Sequence, residues 1–194
     1  ALSTGSFQVT GLHSHDYSNT NYGISVYMNG PLQFSYLQEV LGKDMFDTCM
    51  KTYFNRFSFK HPLPDDIKNV FAEVSGKNMD WFFDKIINSH PSNFKIRSQE
   101  LLENGDARVE LKNKGAIPIS YEYNLYGVKY TKTAWENTIT LPSGAKNLEL
   151  NPNGFLLETN YHDNYLPLTK GKKMPKNDFG LLNILKRGQH AHWL

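Results

Sequence analysis

Tyr22 and Tyr27 stand five residues apart in the segment Tyr22-Gly-Ile-Ser-Val-Tyr27-Met-Asn-Gly30-Pro31. Pro31 suits the first turn of a helix, where its missing N–H would have no partner, so both tyrosines fall just before an expected helix start. A tyrosine at such a junction can aim its hydroxyl into a cleft. Phenol stays neutral at ordinary pH and donates a hydrogen bond, which lets it stabilise a developing oxyanion without adding a proton-transfer step. The same spacing also fits two half-buried ring anchors.

Two other sets of residues have ligand chemistry. His13-Ser14-His15-Asp16 puts two imidazoles on one side of an extended segment with a carboxylate beside them, and His190-Ala191-His192 repeats the pair near the end. Imidazole binds zinc, copper or nickel, but two ligands do not close a site, and polar loop histidines are the plainer reading. Cys49 is the only cysteine, which excludes an intrachain disulfide and a cysteine-based zinc site. Its place in an apolar helical pattern marks it as buried filler. The chain has no Gly-x-Ser-x-Gly elbow and no glycine loop that would cradle phosphate.

The elements that must position these residues change character midway. From Pro31 to about Ser89 the apolar spacing is helical. Leu32, Phe34, Leu37, Val40 and Leu41 make one stripe, and Phe46, Met50, Tyr53, Phe54 and Phe57 make a second, with Asp44 as its expected cap. Pro64-Asp65-Asp66 opens a third helix, carrying Ile67, Val70, Phe71 and Val74 and ending at Ser75-Gly76. A fourth starts at Asn78 or Asp80 and carries Trp81, Phe82, Ile86 and Ile87. Short loops between them imply an antiparallel array.

At His90-Pro91-Ser92-Asn93 the period switches from 3.6 to 2. Residues 94–101 and 107–111 alternate around Asn104-Gly105, which reads as a hairpin. Further strands are expected at 117–125, 128–135, 137–141 and 147–150, at the turn frequency of a small immunoglobulin-like β-sandwich. The expected organisation is therefore α+β: a helical region over 1–90, a sandwich over 91–165, and a basic loop and tail over 166–194. The tail holds Lys170-Gly-Lys172-Lys173-Met-Pro-Lys176, read as a solvated loop, and a short amphipathic piece from Phe179. Trp81, Trp135 and the many tyrosines read as core and rim residues.

With 194 residues, 39% hydrophobic and 13% aromatic, the chain can bury a sizeable core. A net charge of +2, from 21 basic and 19 acidic residues, gives no general attraction to nucleic acid or to an anionic membrane. No apolar run is long enough to form a transmembrane helix.

The segment ending in Tyr27-Met28-Asn29-Gly30, followed by Phe34-Ser-Tyr36-Leu37-Gln-Glu-Val-Leu41-Gly42, resembles the aminopeptidase-N-like zinc metallopeptidases, the gluzincins. Met28 stands where that family often has a charged or polar residue. The likeness continues through Lys43–Phe57, the Phe59-Lys-His61-Pro62-Leu-Pro64-Asp65-Asp66 turn, and Val74-Ser75-Gly76-Lys-Asn-Met-Asp80-Trp81-Phe82-Phe83-Asp84. Residues 93–165 are similar to the β domain that follows in bacterial, often exported, members, notably at Val109-Glu-Leu-Lys-Asn-Lys-Gly115 and in the run from Asn151 through Glu158 to Asn164. The resemblance supplies the only hint of compartment.

The resemblance implies zinc-assisted hydrolysis of N-terminal peptide bonds in an intact parent enzyme, with a peptide as substrate. Tyr27 would be the oxyanion donor and Tyr22 would line the same pocket; His13 and His15 would touch the peptide if they line that cleft. The family's zinc sits on a His-Glu-x-x-His helix upstream of the tyrosine. No histidine here is followed by glutamate, and only 26 residues precede Tyr27, so no residue of this chain inherits a ligand role. The start at Ala1 and the end at His192-Trp193-Leu194 suggest a fragment, inactive alone and binding no zinc itself. The alternative is a non-catalytic module whose sandwich binds protein or glycan, with the helices as support.

Overall fold

Helix begins earlier in this chain than Pro31 suggests. In the computed structural model, which describes residues 8–88, 93–113, 117–158 and 160–168, α1 (Asn19–Tyr22) runs into a π-helical stretch (Gly23–Asn29) and then into α2 (Gly30–Leu41). Pro31 thus lies inside a continuous helical rod and does not open it. A proline there has no N–H for the preceding turn and crowds its carbonyl, a conflict that the wider i→i+5 turn just upstream relieves. The Gly30 N–H donates to Ser25 O, five residues back.

The remaining helices follow the apolar stripes. They are α3 (Lys43–Phe57), α4 (Pro64–Ser75) and α5 (Asp80–Phe82), the last continuing as a second π stretch (Phe83–Ile87). Asp44 does not cap α3: the cap position is Gly42, whose φ of 83° turns the chain sharply, and Asp44 sits in the first helical turn. At α4 the Asp66 carboxylate accepts the Leu63 N–H at 2.7 Å, and Gly76, at φ 66°, ends the helix in the left-handed conformation.

The chain divides into two units, Ala1–Pro91 and Ser92–Leu194. The helical unit has an aromatic core. Phe71 of α4 meets Phe46 of α3 at 5.8 Å and Phe83 at 6.0 Å, and Phe82 meets Phe34 of α2 at 5.3 Å, mostly edge to face. Tyr36, Leu37, Cys49, Val70, Phe71, Met79 and Phe82 are essentially inaccessible. Burial pushes the Cys49 thiol pKa up, which suits a filler and opposes thiolate chemistry. Arg56 grips Glu73 with two bonds at 2.8 and 3.0 Å, linking α3 to α4.

The second unit holds two antiparallel sheets. One has the order β1-β2-β5, from β1 (Phe94–Leu101), β2 (Ala107–Asn113) and β5 (Thr138–Leu141). The other has the order β4-β3-β6-β7, from β3 (Ile119–Leu125), β4 (Val128–Ala134), β6 (Ala145–Leu150) and β7 (Tyr165–Pro167). β1 and β2 pair from Phe94↔Asn113 to Leu101↔Ala107 around the Asn104-Gly105 turn. Gly105 has φ 86°, and a Cβ there would meet Ser143 Oγ at 2.8 Å, so glycine is required twice over. β3 and β4 join through Tyr126 and Gly127, both at positive φ, as a tight primed turn demands.

Alternation then buries Val109 and Leu111 of β2, Tyr121 and Tyr123 of β3, Ile139 and Leu141 of β5, and Leu148 and Leu150 of β6. The short strand β7 has no counterpart in the sequence reading, because three residues ending in proline carry no periodic signal. The Lys170–Lys176 loop, the piece from Phe179 and the His190/His192 pair lie outside the described residues. No helix among the described residues is long and apolar enough to cross a membrane.

Candidate active-site tyrosine segment

Asn21, Ser25, Asn29 and Gln33 recur every four residues along the first helical rod, and all four are buried. A buried polar face needs partners. Ser25 Oγ donates to Gln8 O at 2.6 Å, Asn29 Nδ2 donates to Thr10 Oγ1 at 3.0 Å, and Gln33 Nε2 donates to Ile86 O at 3.1 Å. The Gly11 N–H also donates to Ile87 O at 3.1 Å. Segment 8–12 is thereby clamped between the rod and the last helix of the unit. This clamp is what fixes the π stretch that bears Tyr27.

The opposite side of the rod faces solvent. Tyr27 is 69% exposed and Met28 beside it 63%, while Tyr22 is half-buried. An exposure of that size removes Tyr27 from the class of half-buried ring anchors. The rings of Tyr22 and Tyr27 meet edge-on, with centroids 5.8 Å apart and planes at 75°. The Tyr27 phenol beside it, as first cause, raises the Tyr22 pKa above the ordinary phenol value.

A third ring, Tyr17, packs edge-on against Tyr22 at 5.6 Å. Its hydroxyl lies 2.7 Å from Val9 O and 2.6 Å from Thr10 O, to which it donates, and it accepts the Leu12 N–H at 3.2 Å. Tyr17 is absent from the residues singled out by sequence. No helical period points to it, because Tyr17 stands in extended backbone before α1.

His13 and His15 stack with ring centroids 5.6 Å apart, and His15 Nε2 lies 3.5 Å from Asp16 Oδ1, both side chains exposed. Among the described residues, no group of three or more His, Cys, Asp or Glu could hold a metal ion. Of the tryptophans in the core-and-rim reading, Trp81 is buried and Trp135 is 55% exposed.

Residues 3–86 match the family model described as the Peptidase family M1 domain. The structure of aminopeptidase A from Legionella pneumophila, in complex with aspartic acid, matches with a TM-score of 0.51 at 15% identity, covering 63% of this chain. Agreement at that identity concerns the fold. The chain spans only 15% of the length of that aminopeptidase. No curated protein matches the chain at a significant level. The matched region is M1-aminopeptidase-like, in keeping with the sequence resemblance, and the chain as a whole is α+β.

Proposed function

We propose that this chain is part of a zinc-dependent aminopeptidase, to which it contributes the tyrosine that hydrogen-bonds the oxyanion formed at a scissile N-terminal peptide bond. The observation that carries this reading is Tyr27, exposed on a π stretch inside the region that matches the M1 domain. π turns inside α-helices are frequent at functional sites because they displace one side chain from the regular helical surface at some cost in backbone geometry. Here the displaced side chain is a neutral donor facing solvent.

The zinc that the family implies does not fit the described residues, which offer no group of three ligands. No step through the metal is therefore assigned to this chain. What its own residues do is narrower. Tyr22 packs edge-on against Tyr27, and Tyr27 offers its hydroxyl hydrogen to a substrate carbonyl oxygen. As negative charge grows on that oxygen, the bond strengthens, which is the differential binding that accelerates the chemical step.

The experiment is Tyr27→Phe in the intact, metal-loaded parent. The expected loss in kcat is about 10²–10³-fold, the usual effect of removing one oxyanion donor, with KM and zinc content nearly unchanged. A Tyr27→Phe enzyme with near wild-type kcat would sink the assignment. The isolated chain is expected to show no turnover of amino-acid anilides, and chelator-sensitive turnover would contradict that.

For the second unit we infer an immunoglobulin-type sandwich. The chain changes sheets between β2 and β3, between β4 and β5, and again between β5 and β6. That strand order is the one expected of a Greek-key sandwich. A binding role for this unit is favoured by Tyr126, Tyr130 and Trp135, exposed by 79%, 40% and 55% on or beside β4. Glycan-array or peptide binding that is lost in a Tyr126→Ser, Tyr130→Ser pair would support it.

A further inference from the structure

Five residues around an α-helix amount to a rotation of roughly 140° from the starting direction, so residues five apart do not face each other there. In an i→i+5 turn they do, and the π stretch brings Tyr22 and Tyr27 together in that way, while Tyr17, in extended backbone before α1, packs on Tyr22 in turn. Both contacts are edge-on, at 5.6 Å with planes at 74° and at 5.8 Å with planes at 75°. This is the arrangement aromatic quadrupoles prefer. The lower end of the row is the better anchored. Tyr17 is held by its hydroxyl to the backbone of Val9, Thr10 and Leu12. That backbone is itself tied down by Ser25, Asn29 and the end of the last helix. Gly11 sits so tightly against the last helix that a Cβ would lie 1.7 Å from Asn88 Oδ1.

We propose that Tyr17 and Tyr22 are positioning residues for Tyr27, forming a ladder of three phenols footed on the backbone of residues 9–12 that fixes the attitude of the exposed ring. The proposal rests on the reading of Tyr27 as the oxyanion donor. An exposed tyrosine would otherwise sample several rotamers, each aiming the hydroxyl differently. The ladder removes that freedom before substrate arrives, and reaction then needs no reorganisation of the donor.

The test separates the ladder from the chemistry. In the first arm, ring-labelled tyrosine NMR is recorded on the full 194-residue chain. Cross-relaxation is expected between the Tyr22 and Tyr27 rings. The Tyr27 ring shift is expected to move in Tyr22→Leu and to return in Tyr22→Phe, which keeps the ring and loses only the hydroxyl. Tyr22 should titrate above the ordinary phenol range, and back toward it in Tyr27→Phe. A Tyr27 shift indifferent to Tyr22→Leu, or an unperturbed Tyr22 titration, overturns the ladder.

The second arm is kinetic, in the intact parent. Tyr22→Leu, which removes the ring packed on Tyr27, is expected to lower kcat about three- to tenfold through misplacement of the donor, with KM unchanged, and Tyr22→Phe to restore it. Full kcat in Tyr22→Leu beside a strongly impaired Tyr27→Phe overturns positioning while leaving Tyr27 as the donor. Near wild-type kcat in Tyr27→Phe overturns the donor reading and the positioning role together, even if the NMR signature of packed rings is intact.

Discussion

Both units bury polar side chains beside a loop, and they use them differently. In the helical unit, Ser25, Asn29 and Gln33 are spent on backbone and on one threonine, and the phenols they leave on the far side reach solvent. In the β unit, Glu158 is 3% exposed, and both its oxygens are occupied: Oε2 accepts the Phe94 N–H at 2.8 Å, and Oε1 accepts Asn151 Nδ2 at 2.8 Å and Asn164 Nδ2 at 2.7 Å. Burial and a perturbed pKa are commonly taken as marks of a functional site. By that criterion Glu158 would outrank Tyr27. What separates them is whether a polar group is left over for a partner. Glu158 is a latch that ties Asn151 and Asn164 to the start of β1, whereas the clamped polar face of the rod leaves Tyr27 exposed on the other side.

The comparison is broken most severely by disturbing what each unit rests on. Phe82 is inaccessible and lies edge-on to Phe34, Trp81 and Phe83. Phe82→Ala is expected to cost about 3–5 kcal/mol, through lost transfer energy and the cavity left behind. Amide hydrogen exchange on the whole chain should then show weakened protection in residues 30–87. It should also broaden the Tyr27 ring signals, because the clamp on segment 8–12 closes against the end of that same helix. Retained Tyr27 order in a loosened helical unit would show that the ladder stands without its footing.

Glu158 gives a pH signature that the tyrosine segment lacks. Desolvation, as the first cause, pushes its pKa from an ordinary 4.5 up to about 7, against the pull of its three hydrogen bonds, with neighbouring Asp163 adding repulsion. The folded chain then binds more protons than the unfolded chain between those two values, so this group's contribution falls as pH rises through that window. The change is on the order of 3 kcal/mol over the whole interval. Glu158→Gln is expected to flatten the dependence. It should also destabilise the loop by about 1–3 kcal/mol, because its amide would set an N–H against either the Phe94 N–H or the two asparagine donors. Denaturation midpoints followed at β-unit amides across pH 4 to 8 check both, and a wild-type profile that does not slope downward there contradicts the latch.

What the sequence made legible follows from periodicity. Stripes such as Leu32, Phe34, Leu37 and Phe46, Met50, Tyr53 locate α2 and α3 because their register stays regular for three turns or more. Asn104-Gly105 locates the β1–β2 turn because few residues tolerate positive φ. The π stretch is invisible to the same reasoning: a search for a 3.6 period sees Gly23 to Gly30 as noise, and Pro31 then looks like a beginning. The Tyr22 and Tyr27 pair was readable from residue type and spacing. Tyr17 was not, since its importance depends on a carbonyl-lined foot that only the folded chain assembles. Glu158 was likewise just one letter in a polar run, because nothing local says that its partners are Phe94 and Asn164.

The smallest expected effect concerns the ion pairs at the helical surface. Lys68 of α4 lies 2.7 Å from Asp80 and 2.8 Å from Asp84, with those hydrogen bonds raising its pKa and lowering that of Asp80. Geometry this good suggests a strong tie between α4 and the last helix. Exposure argues otherwise: the two aspartates are 52% and 53% exposed, so water and salt screen the attraction. Lys68→Met, which keeps most of the aliphatic stem over the helix, is therefore expected to cost no more than about 1 kcal/mol at low salt and less at high salt. It should leave the Tyr27 ring shift unmoved, since the clamp on segment 8–12 uses the backbone of Ile86 and Ile87 and not these carboxylates. A loss of several kcal/mol, or a shift at Tyr27, would mean that the last helix owes its position to charge rather than to the aromatic packing of Phe71, Phe82 and Phe83.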